Sequence, residues 1–164
     1  MLSGTDGAWY HVARREDVLT ERFDNELTDY LEQSVVAWTR LGERAHRVAE
    51  ETWRGTYGRA FADGRPRCRH GVKADFEYEQ EPCSHYLIVP FTADVPGLPV
   101  QVHGRHMDAF ECRGPLVPLG EFHQAEFFVS PPDLGWTMVH THEDHALGGP
   151  YFVRAEWLPG GRGN

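Results

Sequence analysis

The chain has 164 residues, 40% hydrophobic and 12% aromatic, enough bulk for one core and too much for wholesale disorder. Its formal net charge of −9 repels phosphate backbones and anionic lipid heads, which disfavours nucleic acid and membranes and favours a basic protein surface as partner. No apolar run of about 18 residues occurs, so no membrane-spanning helix is expected.

Other features bear on compartment and source. The opening Met-Leu-Ser-Gly-Thr-Asp-Gly lacks the charged and apolar regions of a signal peptide. Cys68, Cys83 and Cys112 cannot all pair within one chain, which points to a reducing, cytoplasmic setting. Lys73 is the only lysine and every other basic residue is Arg, a bias expected of a G/C-rich bacterial genome.

In chain order, Ala8 to Ala13 reads as a short strand or an irregular lead-in. Leu19, Phe23, Leu27, Leu31, Val35, Trp38, Leu41, Ala45, Val48 and Trp53 then recur at steps of mostly three or four, one stripe of an amphipathic helix. The helical part spans roughly 15–60, with a break expected near Asp24-Asn25 or at Gly42 and an end near Gly55 and Gly58. The period changes to two over 72–79, where Val72, Ala74, Phe76 and Tyr78 alternate with charged residues, the mark of a strand with one wet face. Further strands are expected at 86–91, 100–103, 109–113, 121–129, 136–142 and 151–157. Pro and Gly punctuate the turns between them, and 159–164 reads as a loose tail.

Helices first and strands afterwards predict an α+β fold in a single domain, 1–164. The helical segment is expected to cover one face of a mostly antiparallel, meander-like sheet of about five to seven strands.

The densest chemistry is His140-Thr141-His142-Glu143-Asp144-His145. Its letters match the H-x-H-x-D-H metal-binding string of the metallo-β-lactamase family. The residues after His145 include no further His or Asp, so that family's remaining ligands are not supplied and the match is set aside. Strand parity offers a different grouping, because residues two apart share a face. If the turn at 130–135 places Val129 opposite Trp136, then Phe127 meets Met138, Ala125 meets His140 and His123 meets His142. His123, His140 and His142 would then gather near Glu121, a set able to hold Zn²⁺, Fe²⁺ or Mn²⁺. The bland alternative is a histidine-rich hairpin end that holds no metal.

Cys68-Arg69-His70 and Cys83-Ser84-His85 form two C-x-H pairs without the usual zinc-site spacing, and ordinary partly buried cysteine is the simpler reading. No G-x-S-x-G elbow and no phosphate-cradling glycine loop occurs. Phe127-Phe128 and Tyr151-Phe152 put rings on both faces of their strands. Phe127, Trp136, Tyr151 and Phe152 are therefore candidates for an interaction surface. The leading expectation is a small bacterial binding protein, of immunity type or a dimeric regulatory module. The rival is a small metal-dependent enzyme using the histidine-rich hairpin.

Overall fold

The computed structural model describes residues 25–62, 65–66, 72–73, 81–91, 108–119, 126–140 and 150–159. The fold is α+β. A first helix, α1, covers 25–33 of the described residues. It is followed by β1 (Ala37–Arg40), α2 (Glu43–Tyr57), β2 (Phe61–Ala62), β3 (Arg65–Pro66), β4 (Val72–Lys73), β5 (His85–Pro90), β6 (Phe110–Arg113), β7 (Phe127–Ser130), β8 (Trp136–His140) and β9 (Tyr151–Arg154). Among the described residues seven strands form one sheet in the order β1-β6-β5-β7-β8-β9-β4, and β2 pairs with β3 alone. Every pairing is antiparallel. The meander is real for β7-β8-β9. The pattern differs at β5, which lies between β6 and β7, while β1 and β4 take the two edges.

The expected long helical segment is interrupted by a strand. Its physical cause is a cap that the sequence disguises. Val36 N–H donates to Leu31 O at 2.8 Å and Val35 N–H to Glu32 O at 3.1 Å, the paired bonds of a Schellman motif. The residue between, Val35, sits at φ 60°, where glycine is the usual occupant. The cap turns Val36 inward, where it joins the same core as Leu31. The chain then runs out as β1, with Trp38 opposite Cys112. Gly42, at φ −63° and ψ 162°, caps the start of α2, so the break at Gly42 is present.

The interruption also resets the helical phase. Val35 is 82% exposed and Val48 52% exposed, although the single-stripe reading puts both inside. The inward side of α2 carries Glu50, Trp53 and Tyr57 instead. Glu50 accepts from Arg54 at 2.9 Å, so this buried carboxylate has an ion-pair partner one turn away.

The two helices cover opposite faces of the sheet, a correction to the expectation of one covered face. On the front, Leu27 and Leu31 of α1 pack with Tyr86, Ile88, Phe110, Phe127, Val129, Met138 and Phe152. On the back, Trp53 and Tyr57 of α2 pack with Val89, Phe128, Val139 and Val153. Every residue of β7 and β8 is buried, which is why these strands read as near-continuous apolar runs.

Val35 is a β-branched residue in a left-handed conformation, and it gains little from burial to offset that strain. V35G should raise unfolding free energy by about 1 kcal/mol in urea titration. Gly114 faces the same turn at φ 144°, and a Cβ there would lie 3.0 Å from Val35 O and 3.1 Å from Val36 Cα. G114A should therefore lower stability by at least about 1 kcal/mol.

Candidate functional site

Two places at opposite ends of β8 carry unusual chemistry. The first is its last residue, His140. Phe127 lies opposite it, and the two rings stack with centroids 4.5 Å apart at 12°. The His140 side chain is 1% exposed. Among the described residues neither Nδ1 nor Nε2 has a hydrogen-bond partner. Burial lowers its pKa to about 3, so the ring is neutral, with one N–H donor and one lone-pair acceptor both unanswered. Leaving such buried groups unpaired costs about 1–3 kcal/mol each, and this asks for an explanation.

The β7–β8 register differs from the expected one. Val129 pairs with Met138 and Phe127 with His140, two residues displaced from the anticipated Val129–Trp136 and Ala125–His140. Pro131 and Pro132 have no N–H to give a ladder, and the turn closes within itself through Leu134 N–H to Pro131 O at 3.0 Å. Trp136 is thereby left to pair across to Arg154 in β9. Because the displacement is an even number, Phe127, Met138 and His140 still share a face. Glu121, His123 and His142 lie outside the described residues. Among the described residues no three His, Cys, Asp or Glu side chains form a group able to hold a metal ion.

The Cys83–His85 pair is otherwise engaged. The Cys83 thiol donates to His85 O at 3.1 Å, and burial, more than its acidic neighbours, pushes its pKa up. Cys112 is buried in the front core, and burial pushes it up to about 12. Both are thiols and poor nucleophiles at neutral pH. The His85 ring meets Glu111 Oε1 through Nε2 at 3.1 Å, and Arg113 meets the same oxygen at 3.1 Å. Cys68 and His70 lie outside the described residues.

The second place is a cleft of about 490 Å³ at the other end of β8. It lies between Glu81–Cys83, the β7–β8 turn (Pro131, Asp133, Gly135), Trp136, and Arg154–Glu156. Arg154 donates to Glu81 Oε2 at 2.7 Å, and its guanidinium lies 5.1 Å from the Phe152 ring centroid and 5.9 Å from that of Trp157. Asp133 Oδ1 accepts the Gly135 N–H at 2.9 Å. Three carboxylates, of Glu81, Asp133 and Glu156, thus line the cleft against one guanidinium. Sequence reading passes over this set because its members come from three distant segments. Only the Pro-Pro-Asp turn is visible locally.

The aromatics expected to form an interaction surface are placed differently. Phe127, Trp136 and Phe152 are buried within the front core under α1, and Tyr151 is half-buried. The second layer required by their double-sided pattern is the chain's own helix.

No protein-family model matches the chain, and neither a curated protein nor a solved structure shows significant similarity to it.

His140 has a testable consequence for stability. The unfolded ring titrates near pH 6.5 and the folded ring near 3. Between these values the unfolded chain holds a proton that the folded chain refuses, so stability is full above about pH 6.5 and falls as pH drops. Between pH 6.5 and 5 this one site should cost about 2 kcal/mol. H140F should lose that part of the acid slope when urea unfolding at pH 7.5 and pH 5 is compared in EDTA. Identical slopes for wild type and H140F would refute the assignment.

Proposed function

We propose that the chain is a small cytoplasmic bacterial binding protein, of immunity type or a dimeric regulatory module. Its domain spans 1–164, and its cleft takes a basic segment of a protein partner. The observation that carries this reading is the cleft lining, in which three carboxylates face one guanidinium already held by Glu81. The surplus negative charge belongs to Asp133 and Glu156, both exposed, and the overall charge of −9 adds attraction at longer range. Among the described residues no helix is long and apolar enough to cross a membrane. A short fluorescent Arg/Gly peptide is the probe. The variant D133N/E156Q should weaken its binding by about tenfold in anisotropy titrations. The charge-matched control E43Q/E51Q, on the exposed side of α2, should change it by less than about twofold. Equal losses in both would mean unspecific attraction and would end this reading.

A second reading, a small metal-dependent enzyme, is favoured by His140. A buried imidazole whose two nitrogens are unanswered among the described residues has the neutral form that binds Zn²⁺, Fe²⁺ or Mn²⁺. In this reading His123 and His142 join it, with Glu121 as ligand or base. A bound ion with an open position would supply an acidified water. Elemental analysis of tag-free protein purified without chelator should then give about one transition metal per chain, and H140A and H142A should each remove it. Metal-free wild type would exclude the second reading and leave the first intact.

A further inference from the structure

The turn that carries Asp133 into the cleft is held by the helix on the other side of the sheet. Tyr57, in the last turn of α2, donates its phenolic O–H to Leu134 O at 2.6 Å. Leu134 sits at φ 57°, a conformation that a leucine adopts only under constraint. Its side chain packs with Trp53, Tyr57 and Val139 in the back core, while Asp133 and Gly135 on either side of it line the cleft. Gly135 O in turn accepts the Ala155 N–H at 3.0 Å, so the held turn also fixes the opposite wall. Burial first, and the Asp133 carboxylate second, push the Tyr57 phenol well above its ordinary pKa, so it remains a donor at neutral pH.

We infer that Tyr57 is a latch that couples α2 to the cleft: its hydroxyl keeps Leu134 in the left-handed conformation that sets Asp133 and Gly135 at the cleft wall. Tyr57 is a positioning residue and touches no ligand. The consequence for binding rests on the binding reading above. A partner that draws α2 from the sheet reshapes the cleft, and an occupant that moves the turn loosens the C-terminal end of α2 by the same coupling.

Y57F removes the hydroxyl and keeps the ring. Native-state amide exchange separates a latch from general stabilisation. In Y57F the Gly135 and Ala155 amides should exchange about tenfold faster relative to the Val139 and Val153 amides of the strands. The Leu134 carbon shifts should also leave the positive-φ range. If Gly135 and Ala155 speed up only in step with the strand amides, with Leu134 shifts unchanged, Tyr57 is merely structural and the latch is wrong. No partner enters the measurement, so its failure leaves the binding reading standing, and a failed peptide titration leaves the latch standing.

Discussion

The Trp53 indole lies on Phe128, with ring centroids 5.0 Å apart at 17°, and its Nε1–H donates to Thr137 Oγ1 at 2.8 Å. Thr137 passes the bond on to Val129 O at 3.3 Å. The seam therefore joins helix, β8 and β7 through one side chain that is apolar over its area and polar at one atom. Phe91 meets the same indole edge-on at 4.9 Å. At the start of α2, His46 Nε2 lies 2.8 Å from the Pro90 carbonyl, and at its end Tyr57 reaches Leu134. With α2 fixed at three points along its length, the back face of the sheet is closed, and β7 and β8 become interior strands.

That closure explains where unusual chemistry can sit. Interior strands with both faces covered offer no surface along their length. What remains accessible is at their ends. The two ends of β8 lie about 14 Å apart, from the rise of an extended chain. They differ in kind. The Trp136 end is charged and open, with its guanidinium paired. The His140 end is buried, and its ring nitrogens have no partner among the described residues. One end can meet a charged partner without reorganisation. The other is costly as it stands, because a buried imidazole with two idle nitrogens is the arrangement folded proteins avoid.

Among the described residues two non-glycine positions, Val35 and Leu134, hold positive φ, and their surroundings differ. Val35 is exposed, and hydrogen bonds of the helix cap hold its conformation. Leu134 is buried, and both its carbonyl and its side chain are gripped by α2. Strain at the first position serves the fold by ending α1 and starting β1. Strain at the second shapes a surface.

The local periods could be read from the residues alone. Sequence reading set a helical part ahead of the later strands but missed β1 between the two helices, placed β5 to β9 within a few residues, offered Gly42 as one of two break positions and marked His140 as chemically unusual. Local patterning suffices for these because hydrophobic period and turn residues act over a few positions. The remainder followed from long-range packing. The valine cap at 35 was illegible because glycine is what that position normally shows, and missing it carried the helical stripe out of phase through Val48. The β7–β8 register was decided by two prolines that left Trp136 to β9. The burial of Phe127, Trp136 and Phe152 was decided by the front core that α1 helps to build, and the cleft by Glu81, Asp133 and Arg154 arriving from separate segments. Each of these depends on contacts between residues far apart in the chain. Such contacts are set by which faces find cover, and no local period records that.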